Sequence, residues 1–135
     1  MKKNDEIFLS ALNARAQAYA PYSDHPVGAV IIDDMQNIHQ GCNVETAHFK
    51  GICAEGSAIS AMIMAGGKMI RDVYVIGPDL RVLCTPCGDC RQRIREFSHS
   101  DTRIHCFGEN GEIVKSFTID ELLPVSFGPE NLQKN

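Results

Sequence analysis

The sequence predicts an α/β domain in which helices cover both faces of a sheet. Three features predict it: an apolar stripe at helical spacing near the N-terminus, an Ala-, Met- and Ile-rich helical segment over residues 54–65, and short β-branched runs alternating with them. In the first segment Ile7, Phe8, Ala11, Leu12, Arg15, Ala18 and Tyr19 form the stripe, and Pro21 ends it. Val27-Gly28-Ala29-Val30-Ile31-Ile32 stops at Asp33-Asp34, and Asn37-Ile38-His39-Gln40 follows, which reads as a hairpin. The segment 54–65 has Glu55 near its start and Gly66-Gly67 beyond its end, as a largely buried helix would. Val73-Tyr74-Val75-Ile76 reads as a strand closed by Gly77-Pro78, with Arg81-Val82-Leu83 as a further short extended piece. Pro86 leads into an Arg-rich, half-exposed helix over 87–97. Residues 103–107 and 113–117 read as closing strands, joined through Gly108-Glu109-Asn110-Gly111. The whole of 1–135 reads as one domain, with 128–135 as a polar tail.

Composition narrows the function. The 135 residues are 44% hydrophobic and 22% charged, enough apolar material for one ordinary core. The net charge of -4 gives no cationic field for gathering phosphates, so a polynucleotide substrate is disfavoured. No apolar run approaches the roughly 20 residues of a membrane-spanning helix. The N-terminus, with no continuous apolar stretch, lacks an export signal. A cytoplasmic protein without membrane contact is expected, and there six cysteines point to metal ligands or catalytic thiols before disulfides.

Cys53, Cys87 and Cys90 stand at the beginnings of two predicted helices. Zinc in a catalytic site takes three protein ligands and leaves its fourth position open, and three thiolates would serve. Backbone N–H groups and the positive end of the helix dipole favour thiolate over thiol there. Three thiolates on a divalent ion leave one negative charge, so partial positive charge from both helix starts has a function, and Arg91 can add to it. Glu55, two residues after Cys53, points away from that ligand and is free to face the open position as a proton carrier. Other readings exist for the parts. A lone C-x-x-C also suits a redox pair, a closed structural zinc site would take one more donor, and Glu55 alone is a favourable first-turn acid. Cys42, Cys84 and Cys106 are expected to be buried as small apolar residues.

Cys53-Ala54-Glu55 followed by Pro86-Cys87-Gly88-Asp89-Cys90 matches the recorded zinc-deaminase signature in its three-cysteine form. With Pro21-Tyr22-Ser23, Pro26-Val27-Gly28-Ala29, Gly41-Cys42-Asn43-Val44-Glu45, Arg91-Gln92, and Leu122-Leu123-Pro124 with Ser126-Phe127, the chain resembles the cytidine deaminases over nearly its whole length. The resemblance implies a three-layer α/β/α fold with a mixed sheet of about five strands. It also implies a homotetramer with sites at subunit interfaces, a Zn²⁺ ion, and hydrolytic release of ammonia from C4 of cytidine or 2'-deoxycytidine, a pyrimidine salvage reaction. By position, Asn43 and Glu45 would bind the ribose, the Ala54 backbone the base, and Phe127 would pack at the pocket. Two departures bear on specificity. Gly56 stands where the family usually has an Arg, which the related blasticidin S deaminases also lack, and His25 stands where a Phe commonly meets the base. The run Thr46-Ala47-His48-Phe49-Lys50-Gly51-Ile52 differs as well, so His25 and His48 are candidates for remodelled specificity. The alternatives are therefore a deaminase of another aminopyrimidine nucleoside or modified cytidine, and a catalytically silent zinc-binding module.

Overall fold

A computed structural model describes residues 3–132. Six-residue β1 (Gly28–Asp33) is buried along its whole length because both of its faces are covered. Ala29 and Ile31 point into one core and Val30 and Ile32 into another, which is why its sequence is a continuous apolar run and not an alternating one. β1 pairs antiparallel with β2 (Ile38–Cys42) on one side and with β3 (Ile70–Ile76) on the other. β3 pairs in parallel with β4 (Arg103–Phe107), and β4 antiparallel with β5 (Ile113–Phe117). The result is a mixed five-stranded sheet in the order β2-β1-β3-β4-β5.

Helix α1 (Lys3–Ala16) covers one face through Ile7 and Ala11, packed on Val30, Ile32, Tyr74 and Ile76. The other face carries α2 (Ala54–Met64) and α3 (Gly88–Glu96), which bury Ala58, Met62 and Ile94 on Ile31, Val73, Val75 and Ile104. This is the three-layer arrangement expected.

Three local expectations need correction. α1 stops at Ala16, short of Ala18 and Tyr19, because Tyr19 leaves the helix to make a bridge with Val44: its N–H donates to the Asn43 carbonyl, and its own carbonyl accepts from Glu45 N–H. Arg81-Val82-Leu83 is a turn and not an extended piece. The Asp79 carboxylate accepts from both the backbone and the guanidinium of Arg81, while the Asp79 carbonyl accepts from Val82 N–H. Between Thr118 and Leu123 lies a one-turn helix, α4 (Ile119–Leu122), that was not anticipated. Its capping box was legible as Thr118-x-x-Glu121: the Thr118 hydroxyl accepts from Glu121 N–H, and the Glu121 carboxylate accepts from Thr118 N–H. In the stretch read as a polar tail, Pro129–Asn131 forms a 3₁₀ turn and Glu130 pairs with Arg95, while 133–135 lie outside the described residues.

α2 approaches β2 closely at Gly41. A methyl built on Gly41 would lie 2.9 Å from Ala58 Cα and nearer still to Ala58 N and the Ala54 carbonyl oxygen. Gly41 therefore sets how deeply the first turn of α2 sits against the sheet. Gly41→Ala should cost about 3 kcal/mol in urea unfolding through overpacking.

Candidate active site

The strand directions decide where the helices begin. β1 is antiparallel to both β2 and β3, so β2 and β3 run the same way, and β4 runs with them. α2 connects β2 to β3, and α3 connects β3 to β4. Each helix is thus a crossover that starts at the carboxyl edge of the sheet, the edge where ligands gather in open α/β sheets. β1 begins at that same edge, with Gly28 opposite Cys42 and Ile76.

Cys53 is the N-cap of α2 and Cys87 the N-cap of α3, both extended, and neither side chain makes a capping hydrogen bond. Their sulfurs therefore remain free to face each other, 3.7 Å apart. Cys90 joins from the first turn of α3, fully buried, and the three sulfurs lie within 4.8 Å of one another. A tetrahedral zinc with bonds of about 2.3 Å places its sulfurs about 3.8 Å apart; the Cys53–Cys87 separation matches this, and Cys90 lies close enough to complete such a triad. The ionisation chemistry agrees. Burial pushes the Cys53 thiol up, and the Cys87 sulfur and Glu55 add to this against a lowering hydrogen bond from Cys90. Burial, the Glu55 charge and the neighbouring sulfurs push Cys90 up in the same way. Thiols that resist ionisation, as Cys53 and Cys90 do, become thiolates when a divalent cation sits among them.

Glu55 lies in the first turn of α2 with 3% of its surface exposed. Burial raises its carboxyl above the usual range, partly offset by hydrogen bonds from its own backbone N–H and from Cys90. Glu55 and the three sulfurs line one cavity of about 170 Å³ together with Ala54, Asn43 and His25. Val27, Cys84 and Thr85 complete the wall. Cys84 and Thr85 were not anticipated as lining residues, although they directly precede Pro86-Cys87, and Cys84 was expected only as a buried apolar filler.

Other expected residues sit differently. Asn43 accepts from Val27 N–H at Oδ1 (2.9 Å) and donates from Nδ2 to the His25 carbonyl (2.9 Å), so it ties the chain after β2 to the loop before β1. One N–H and one lone pair of its amide remain for a ligand. Glu45 is not a wall of the cavity. Its carboxylate accepts from the amides of Tyr22 (2.9 Å) and Ser23 (3.1 Å) and from the Ser23 hydroxyl, and chiefly that hydroxyl holds it below the ordinary carboxylate range. Phe127 lies outside the cavity, 56% exposed beside Gln92, which donates to its carbonyl. His48 is exposed and also lies outside it. Arg91, expected to lend charge to the sulfurs, donates instead to the carbonyls of Pro86 (2.7 Å) and Leu122 (2.8 Å) and to the Thr85 hydroxyl (3.0 Å). It braces the loop that carries Cys87.

Paired helix starts, three clustered sulfurs and a buried carboxylate define an α/β protein with a candidate thiolate metal site of the catalytic kind. Comparison with known proteins agrees. The profile of the cytidine and deoxycytidylate deaminase zinc-binding region matches residues 1–106. A cytidine deaminase of Mycoplasma genitalium is 38% identical over 129 residues, covering 94% of this chain and 98% of that protein. One from Sporosarcina psychrophila is 33% identical, covering 95% and 93%. Among solved structures, the cytidine deaminase of Burkholderia pseudomallei superimposes with a TM-score of 0.83 at 30% identity, covering 94% of this chain and all of that one. That of Mycobacterium tuberculosis gives 0.81 at 29% identity, covering 95% and 99%. The chain belongs to the cytidine deaminase family.

Arg91→Ala should lower stability by about 2 kcal/mol in urea titration, since it strands three acceptors that now receive charged hydrogen bonds. Lysine at 91 should recover only part of this, because a single ammonium lacks the planar fork.

Proposed function

We propose that the protein is a zinc-dependent hydrolase that converts cytidine and 2'-deoxycytidine to the uridine products with release of ammonia. The observation that carries this is the juxtaposition of the Cys53, Cys87 and Cys90 sulfurs with the buried Glu55 carboxyl in one cavity. Zinc held by the three sulfurs would supply Lewis acidity, making a water nucleophilic near neutral pH. Glu55 takes the first proton from the attacking water and passes it to a ring nitrogen; once the C4–O bond has formed, it takes the remaining proton of that hydroxyl and gives it to the amine, which leaves as ammonia as the C4–N bond breaks. A carboxyl whose proton affinity is raised by burial suits both accepting and giving. Ala54, buried at the start of α2, offers backbone to the base edge.

Asn43, with its free amide capacity, is assigned to the ribose, and Glu45 to the same hydroxyl region once it releases Ser23. Arg91 supports the site through the Thr85-Pro86 loop. Phe127 is assigned to the pocket of a neighbouring subunit in a homotetramer. Its exposure, with that of Phe49 at 81% and Met64 at 90%, leaves large apolar side chains in water that a subunit interface would cover. The remaining assignments are a single-domain chain acting in the cytoplasm on a small nucleoside, without nucleic-acid or membrane partners. Six free cysteines fit a reducing compartment. His25 at the cavity wall favours a second reading, another aminopyrimidine nucleoside or a modified cytidine, since imidazole adds a hydrogen-bonding group beside the base.

Ammonia release from a panel of nucleosides, together with metal analysis, tests both. Cytidine and deoxycytidine should turn over fastest with one zinc per chain; faster turnover of another aminopyrimidine would select the second reading, and no release from any would leave a silent zinc-binding module. Glu55→Gln should lower kcat by about 10²- to 10⁴-fold with zinc retained. Wild-type rates in that variant would remove Glu55 from the proton path.

A further inference from the structure

Helix α3 carries three arginines, and two have partners away from the sulfurs. Arg91 is held by the carbonyls of Pro86 and Leu122, and Arg95 by Ser126 and Glu130. Arg93 is placed otherwise. It follows Cys90 by three residues, so the two share a face of the helix. Its stem crosses to α2: a methyl built on Gly56 would lie 3.4 Å from Arg93 Cδ and 3.3 Å from Ile52 Cγ1. Gly56 is in the first turn of the helix that Cys53 caps. Arg93 thus spans the first turn of one sulfur-bearing helix and the body of the other. Its Nε donates to Asp89 at 3.2 Å, an i,i+4 contact in which both side chains are more than half exposed, and such contacts hold a side chain only weakly.

The sulfur cluster has an electrostatic need at this spot. Three thiolates about a divalent ion carry a net negative charge, and the Glu55 carboxyl stands beside them. The proton affinity of Arg93 is raised chiefly by Asp89, with small added contributions from the Cys53 and Cys90 sulfurs.

We propose that Arg93 is a positioning residue for the metal: laid across Gly56, it offsets the excess negative charge of the Cys53–Cys87–Cys90 cluster and so slows zinc release. This rests on the zinc-binding reading above. Gly56 is part of the device, since a side chain there would meet Ile52 and the Arg93 stem at about van der Waals distance.

The test uses zinc-loaded full-length protein and two separate readouts. Metal content of the wild type examines the zinc reading alone: about one ion per chain upholds it, and none overturns it whatever Arg93 does. The rate of zinc transfer to excess chromogenic chelator examines Arg93. Arg93→Gln keeps part of the stem and removes the charge, and it should release zinc about fivefold faster, the scale of a half-exposed charge interaction. Arg93→Lys should stay within about twofold of wild type, and the gap between Gln and wild type should shrink in 1 M salt as screening grows. Asp89→Asn should release zinc no faster than wild type, because Asp89 competes for the guanidinium and does not transmit its effect. Equal release from wild type and Arg93→Gln would overturn the proposal, as would equal acceleration in Asp89→Asn. So would a zinc-free Arg93→Gln protein that melts well below zinc-free wild type, which would show a general packing defect.

Discussion

The constraint on which this structure depends is that two helices begin at one point. Each α-helix leaves its first backbone N–H groups without partners in the helix, and a side chain or ligand must answer them. Here the N-cap positions are cysteines that do not fold back to cap, so the positive ends of α2 and α3 face a cluster of sulfurs. Burial and the neighbouring negative groups work against ionising Cys53 and Cys90, and the helix fields work for it. A divalent cation among the sulfurs would settle the balance, because it would bring two positive charges into a space of this size. The same closeness places Glu55, one residue into α2 beyond Ala54, against the sulfurs and away from solvent.

The polar residues around the cavity divide by where their hydrogen bonds go. Arg91 and Asn43 satisfy backbone groups of the loops that carry the site, so much of their effect is to hold Thr85, Pro86, His25 and Val27 in place. Glu45 does the same for Tyr22 and Ser23, whose turn also receives His25 N–H at the Ser23 hydroxyl. Loops at the carboxyl edge of a sheet lack ladder hydrogen bonds. Side chains that supply substitutes turn them into a defined wall.

Much of the frame is legible in the sequence. β1, β3, β4 and β5 fall where β-branched runs predicted them, and α2 and α3 where helical composition and their flanking Pro and Gly residues did, since burial on one or both faces leaves a periodic trace. The misses share a physical cause. α1 ends early because Tyr19 finds a partner 25 positions away in Val44, and Arg81-Val82-Leu83 turns because one carboxylate, Asp79, collects its donors. Neither the bridge nor the carboxylate's choice of donor is encoded in local periodicity. Cys84 reads as filler by type, yet lies on the cavity wall because of the loop's path.

The sequence alone determined the chemistry on offer: three cysteines in a C-x-E and P-C-x-x-C pattern, at the starts of two helices, with one acid beside them. Those properties follow from residue identity and near-neighbour spacing, which the chain carries whether or not it is folded. Only the tertiary structure decided which groups meet. It turned Arg91 away from the sulfurs and laid Arg93 across Gly56, and it kept Phe127 out of its own chain's cavity. Contacts between residues 30 or more positions apart depend on strand order and helix packing, and those are settled by the whole core at once.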